Sequence, residues 1–594
     1  MATKVGSVRS PSKPSPGLDI FRTPENPTFY SANMYESLDT SKREFRLIKL
    51  STQTGGGILE CKLLPAMPLI DAQKRYLALS YCAGDPTDTK DILVNGVKCN
   101  IFANLHHALV LARRYWIRSS RQSPLLWIDQ LCINQHDLKE RSHQVGFMRE
   151  IYQCAERTLA CLSTTKTSGR GLKWLIDLCD AVPSREDDEA FQYDREEESD
   201  TEHETDSKDA SRKSKETSNT FNSERAGGDR QQLFRISDHL WNNMHIEKFI
   251  NGWIAFYDVL TSPWWNRVWI CQEFLVSSQV SFMFGHHFVS WELCWKTMQA
   301  FCRIHRYTLM NRDHFLGLNG LSVGCPEDRQ LCRILNIVQE RDLNRQVGHV
   351  GMALKMKIRW SGSMNINALL SHSRSCKSSD DRDRVYAILG LASPGYQIFP
   401  DYSHDMSASE VMITTTKAII EKEDSLRILI EATTLVRSKN LDLPSWVVDW
   451  TSTEASDIRN NHFGNRFFHH NSCIPHESPE STFETVKNKI HQTQAHLLRV
   501  YGTFITKIWL VEKGPFAAFY GAQGWQGSAL VSITDGDEVW ILYGLRVPMV
   551  LRPYRDGYQV VSSACLMGQN GEGFGTPLIS TEVGRANKSR IVLY

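Results

Sequence analysis

Residues 125–141, LLWIDQLCINQHDLKER, pass from an apolar run (Leu125 to Ile128) into a segment crowded with hydrogen-bonding and titratable groups: Asp129, Cys132, Asn134, Gln135, His136, Asp137 and Glu140. A carboxylate at the end of a core strand either caps the following turn or is delivered to a ligand, and both readings stand for Asp129. A second carboxylate, Glu273, sits in VWICQEFL (268–275), where its neighbours are mostly apolar. A carboxylate in that setting must be paired or functional, and Arg141 and Arg267 are the arginines that can pair it. Nucleophilic chemistry at Cys132 or Cys271 would need His136 or His143 as base. No motif joins them, so both cysteines read as small buried hydrophobes. His106 and His107 in NLHHAL lack a carboxylate or cysteine at ligand spacing, and the 15 cysteines include no C-x-x-C pair, so no metal site is expected. No glycine-rich phosphate loop accompanies the polar segment, which argues against Rossmann-type cofactor retention.

The elements that must carry these groups follow from apolar runs and their periodicity. FRLIKL (45–50), ILECKLLP (58–65), RYLALSY (75–81) and TLACLS (158–163) read as strands, and RYLALSY ends at the turn signal CAGDP. ANLHHALVLARRYWI (103–117) has helical spacing. So has 139–157, with Val145, Met148, Ile151, Tyr152 and Ala155 on one face, and Glu140 and Arg141 at its start suit the N-terminal dipole. Strand–helix alternation over these residues predicts a parallel sheet with right-handed crossovers. Residues 253–285 read as helix, turn, helix, strand. Residues 290–375 are largely helical, DRDR (381–384) begins a capped helix with ion pairs, and the last hundred residues alternate as a small antiparallel β unit.

Composition bounds the rest. A chain of 594 residues, 41% hydrophobic and with 16 Trp and 25 Phe, is long enough for several packed domains. A formal charge of +1, without a basic stripe, gives no reason to expect nucleic acid as partner. No run approaches a membrane span and no signal peptide is evident, which predicts a soluble cytoplasmic protein with reduced thiols. Residues 1–40 read as a disordered tail. Twelve Asp or Glu between 186 and 206 mark 183–232 as a disordered acidic insertion within a folded domain.

In order and spacing, YLALSYCAGDP, NLHHAL, LLWIDQLCINQHDLKERSHQVGFMREIYQCAERTLACLS and SPWWNRVWICQEF resemble the fungal heterokaryon-incompatibility (HET) domain. DDRDRVYAILGL, PDYSHDMSASEV, LPSWVVDW and GDEVWILYGLRVPMVLRP resemble the companion region of many HET-domain proteins, so the likeness runs from about Phe45 to the C-terminus outside the acidic insertion. Ala83 stands in SYCAG where the family usually has Trp, which removes an aromatic wall. HET domains are in turn similar to TIR domains. The resemblance therefore implies an α/β fold with a TIR/flavodoxin-like parallel sheet and flanking helices over 45–290, its core motifs in 76–165 and 253–285. A mainly helical companion region (291–450) and a β-rich region (451–594) follow.

The same resemblance implies non-self recognition that promotes programmed cell death, and beneath it two mechanisms. In one, the domain is a TIR-like NAD glycohydrolase. WICQEF then stands for the TIR W-C-x-x-E signature, with Glu273 only two residues past Cys271. Glu273 would be the catalytic carboxylate, and Ser80, Tyr81, Gly84, Asp85, Asp129, Asn134, Gln135 and Trp269 would hold NAD as substrate, with no resident cofactor and no metal. In the other, the domain is a non-catalytic interaction module. No P-loop, WD or ankyrin repeat lies downstream, so activation is expected to need a protein partner or self-assembly.

Overall fold

The computed structural model describes residues 26–32, 34–51, 57–119, 125–165, 171–181, 235, 238–310, 326–341, 343–433, 442–452, 481–487, 494–513, 516–530, 532–545, 547–567 and 588–594. The chain divides into two compact units, 1–361 and 362–594. The expected acidic insertion and residues 1–25 of the expected tail lie outside the described residues.

The first unit is built on a nine-stranded sheet. Its strands are β1 (Ile48–Leu50), β2 (Leu59–Leu63), β3 (Leu77–Ser80), β4 (Thr89–Val94), β5 (Val97–Phe102), β6 (Leu125–Trp127), β7 (Arg157–Cys161), β8 (Val280–Phe284) and β9 (His287–Ser290). They lie in the order β9-β8-β7-β3-β6-β1-β2-β4-β5. The four central strands run parallel, β8 to β7, β7 to β3 and β3 to β6. All residues of β3 and β8 are buried, as expected of strands covered on both faces.

The sheet is mixed rather than parallel throughout, which corrects the sequence reading. β1 meets β6 and β2 antiparallel, β4 and β5 form a hairpin, and β9 folds back on β8. The hairpin turns at Asn95 and Gly96, whose φ values of 51° and 78° match the twist of a two-residue connection. Alternating burial in β2 marks a flank with one solvated face.

FRLIKL is not one strand. Glu44–Phe45 pairs with Met67–Pro68, and Ile48–Leu50 joins the main sheet. Between them Arg46 is buried and forms a bidentate pair with Glu140, at 2.7 and 3.1 Å. Its guanidinium also donates to the Cys132 carbonyl at 3.3 Å and lies 5.1 Å from the Tyr35 ring centroid. The stretch from 26 to 40, expected within the tail, carries helix α1 (Pro27–Ser31) with Phe29 fully buried. Asn26 accepts from the Asn100 amide at 2.7 Å and donates to the Asn100 carbonyl at 3.0 Å, completing the hydrogen bonds of edge strand β5.

Helices flank the sheet. α2 (Ala103–Arg118) buries Leu105, Leu109, Ala112 and Trp116. A single turn, α3 (Asp129–Cys132), follows β6. The helix expected over 139–157 divides at Phe147, where φ and ψ are −125° and 20°, into α4 (Leu138–Gly146) and α5 (Met148–Cys154). α6 (Gly171–Ala181), α7 (Glu247–Leu260), α8 (Ile270–Leu275), α9 (Trp291–Met310), α10 (Pro326–Glu340) and α11 (Leu343–Ile358) follow. Among the described residues no helix is long and apolar enough to cross a membrane.

The second unit begins with α12 (Ile366–Arg374), α13 (Asp383–Leu389), α14 (Ala408–Glu423) and α15 (Ile428–Ala432). Buried Arg374 ties α12 to α15 and to the segment at 449–450. It donates to the Glu431 carboxylate at 3.2 Å and to the carbonyls of Glu431 (2.9 Å) and Asp449 (3.3 Å), with Trp450 4.9 Å beneath it. The arginines of DRDR are ion-paired, Arg384 with Asp381 at 3.5 Å and Arg382 with Asp380 just before the motif at 2.8 Å, but the expected cap is not formed, since no side chain caps α13 at Arg382.

An eight-stranded C-terminal sheet follows: β10 (Thr482–Lys487), β11 (Gln494–Lys513), β12 (Phe516–Gly521), β13 (Gln526–Leu530), β14 (Glu538–Leu542), β15 (Met549–Tyr554), β16 (Gly557–Met567) and β17 (Ser589–Leu593). β11 is long and twice bulged, and pairs with both β12 and β14. The ring β11-β12-β13-β16-β15-β14 therefore closes on itself around Ile508, Phe519, Val539, Val550 and Leu566. The mixed α/β architecture and the antiparallel C-terminal sheet agree with the sequence reading.

The Arg46–Glu140 pair sets a first prediction. Arg46→Ala or Glu140→Ala strands a buried charge and should cost about 3–5 kcal/mol in urea unfolding, whereas the double change Arg46→Met/Glu140→Leu costs far less. A single-variant loss below about 1 kcal/mol, the range of exposed pairs, would mean that the pair is solvated in practice.

Candidate functional site

The carboxyl ends of β3 and β6 face the short helix α8, and the polar groups of all three converge there. Every residue of α8 is buried, which leaves Glu273 2% exposed. Arg267 grips its carboxylate with both guanidinium nitrogens, Nη1 to Oε2 at 3.1 Å and Nη2 to Oε1 at 3.2 Å. The Ser80 hydroxyl, at the end of β3, donates to Oε2 and accepts from the Trp264 indole N–H at 2.6 Å. Burial pushes the Glu273 carboxyl above the usual carboxylate range, opposed by Arg267 and Ser80.

Asp129 opens α3 and is partly exposed. Its Oδ1 accepts from the Gln130 amide at 2.7 Å, and its carbonyl accepts from Gln135 Nε2 at 2.8 Å. Its carboxyl is raised by burial and drawn back mainly by Arg267, with a smaller pull from Arg141. Arg267 thus serves two carboxylates: it hydrogen-bonds Glu273 and acts on Asp129 through its field. Tyr81, buried beside them, donates to Gln130 Oε1 at 3.3 Å, and its phenol is held well above its ordinary value by burial and then by the Asp129 charge. Gln130 Nε2 is buried with no hydrogen-bond partner among the described residues.

The structure brings Ser80, Tyr81, Asp129 and Glu273 into one network about Arg267. The remaining sequence candidates stand apart from it or are engaged locally. Gly84 and Asp85 are exposed. Gly84 has φ of 86°, and a Cβ there would run into the Asn104 side chain. Asp85 Oδ1 accepts from the Thr87 amide at 2.9 Å and hydroxyl at 2.7 Å, an Asx turn. Asn134 donates its amide to Glu140 at 2.7 Å and accepts from the His136 amide at 3.2 Å. Trp269 is partly exposed at the N-cap of α8. Of the two arginines named for Glu273, Arg267 is the partner. Cys132 and Cys271 are buried, and burial pushes the Cys132 thiol up to about 12, far from a reactive thiolate.

One participant was not read from the sequence. Lys357 of α11 is buried, donates from Nζ to the carbonyls of Leu275 (3.0 Å) and Ser277, and lies 5.5 Å from the ring centroids of Phe274 and Trp291. It satisfies carbonyls at the end of α8, the helix that holds Glu273. ALKMKI in an amphipathic helix carries no signal that one of its lysines turns inward.

Burial lowers the Lys357 ammonium to about 8 from an ordinary 10.5. Between those values the unfolded chain binds the extra proton, so native stability contributed by this group rises with pH. Relative to Lys357→Met, the wild-type chain should gain roughly 2 kcal/mol between about pH 8 and about pH 9.5 in chemical unfolding. Parallel pH profiles for the two chains would show that Lys357 titrates as an exposed lysine does.

Residues 76–273, from the residue before β3 to Glu273 itself, match the family model described as heterokaryon incompatibility protein (HET). A curated relative, "Heterokaryon incompatibility protein 6, OR allele" of Neurospora crassa, is 25% identical over 408 residues, covering 64% of this chain and 54% of the relative. The chain thus spans about half the length of the curated relative it matches. No solved structure matches. The chain thus carries, over residues 76–273, a region that matches the HET domain, and it is similar to a fungal heterokaryon-incompatibility protein.

Proposed function

We propose that this chain acts in fungal non-self recognition as a non-catalytic interaction module, working in the cytoplasm and promoting cell death through a protein partner or self-assembly. One observation carries the mechanism. Glu273, the carboxylate on which hydrolysis would turn, is sealed in the core and spent on a bidentate arginine and a serine. A carboxylate so engaged holds β3, the 262–269 turn and α8 together and has no open face toward a ribose. The polar loop after Asp129 supports the same reading, because Asn134 and Gln135 are tied to their own loop and to Glu140. The matched family and the name of the relative support the biological role.

A second reading, TIR-like cleavage of NAD, is favoured by topology. The parallel core runs β6-β3-β7-β8, which is second, first, third, fourth in chain order, the beginning of the flavodoxin-like 2-1-3-4-5 order. Ser80, Tyr81 and Asp129 stand at the carboxyl edge where such sheets take ligands, and Gly84, Asp85, Asn134, Gln135 and Trp269 would line the approach. The residues do not fit NAD in this conformation, since Arg267 and Ser80 occupy Glu273. Cleavage would require another state with Arg267 withdrawn.

Purified full-length chain, concentrated and incubated with NAD, should release no nicotinamide by chromatography. Glu273→Gln should lower the unfolding midpoint while leaving that null result unchanged. Nicotinamide release by the wild type that Glu273→Gln abolishes would overturn the proposal in favour of the enzyme.

A further inference from the structure

One face of the first unit gathers cations from three separate elements. Arg114 and Arg118 lie one turn apart on α2 and are exposed. The turn between β8 and β9 presents His286, whose imidazole is hydrogen-bonded to the Arg114 guanidinium and whose carbonyl accepts from Arg118 at 3.1 Å. Next along β9, His287 is held below the usual imidazole value by burial first and then by Lys173, His286 and Arg118. Lys173 comes from the first turn of α6, which packs beside β9. Among the described groups acting on His287, Asp177 is the one carboxylate, and it already pairs with Lys173 at 2.5 Å. Like charges brought together in this way repel one another, and an anionic surface laid across them relieves that repulsion.

Sequence and topology identify the anion. The chain as a whole carries a formal charge of only +1, so a cationic face on it has a compensating acidic stretch elsewhere. The densest such stretch holds twelve Asp or Glu between 186 and 206. It follows directly on α6, the helix that contributes Lys173. From Lys173 to the last residue of α6, Ala181, is eight residues of helix, about 12 Å. The five residues Val182 to Glu186 can span up to roughly 17 Å, enough for the first acids to return to the start of α6.

We infer that the Arg114–Arg118–His286–Lys173 face is an intramolecular docking surface for the chain's own acidic run, residues 186–206. Tethering gives that run a high local concentration, so it outcompetes an external polyanion of the same charge. The contact is electrostatic and weakens with ionic strength.

The test uses the full chain, a full chain whose twelve acids in 186–206 are replaced by Asn and Gln, and a fluorescent peptide copying 183–208. The neutralised chain should bind the peptide at least tenfold more tightly than the wild type at low salt. That binding should fall at least tenfold on adding Arg114→Glu and Arg118→Glu, exposed positions whose change should leave the thermal midpoint near that of the parent. Equal peptide affinity for wild-type and neutralised chains would overturn the inference, because the face would then be unoccupied in the native chain. Binding that survives the two charge reversals would overturn it by locating the acidic run elsewhere. A short DNA duplex serves as a further probe: wild type that binds it more tightly than it binds the peptide would reassign the face to nucleic acid.

Discussion

Two carboxylates and one guanidinium, all drawn from different elements, set the terms for the first unit. Taking a charge out of water costs several kcal/mol, and only close opposite charge with satisfied hydrogen bonds offsets it. Arg267 meets that condition for Glu273 through two hydrogen bonds, while its field reaches Asp129 at the end of β6. Around it Ser80, Trp264 and Tyr81 are fixed by what the charges need. The carboxyl edge of the sheet, where an open α/β domain keeps its ligand groups, is here drawn together by ionic contacts.

The same chemistry recurs away from this edge. Arg46 with Glu140 anchors the loop after β6, and Arg374 with Glu431 joins helices of the second unit. Each places a planar cation beside an aromatic ring, Tyr35 in one case and Trp450 in the other. Arginine suits such positions because its fork matches a carboxylate while its flat face stacks. In a chain with this many buried aromatic residues, that combination lets polar cross-links enter the core, the flat cation packing on a ring while its terminal nitrogens meet a carboxylate.

Much of this was legible in the residues. RYLALSY, LLWI and TLACLS are short apolar runs bounded by turns, and they became the central parallel strands because such runs bury both faces. The α2 periodicity was equally plain. The hairpin at Asn95–Gly96 was not read from the sequence, although Asn-Gly between alternating runs is a hairpin signal, and the antiparallel flank it adds went unforeseen with it. Other features were not legible at all. Arg46 in FRLIKL and Lys357 in ALKMKI look like solvent-facing cations, and what turns them inward is a partner some 80 to 95 residues away in sequence. The break at Phe147 follows directly on Gly146, a poor helix former that the continuous apolar pattern over 145–155 conceals. For the candidate site, residue types pointed to the right edge of the sheet, and Arg267 was among the partners foreseen. Which residues would be consumed by internal bonding was decided only by geometry.

Lys357 also bears on the order in which the molecule can be made. The family match ends at Glu273, but α8 is capped by a residue that emerges from the ribosome more than eighty positions later. Strands β8 and β9 fall in the same interval, as does α9. Until that stretch has been synthesised, the Leu275 and Ser277 carbonyls have no cap, and β7 lacks its neighbour on one side. Completion of the HET domain during translation is therefore a late event. A growing chain that ends just past Glu273 leaves β7 as an open sheet edge until β8 arrives.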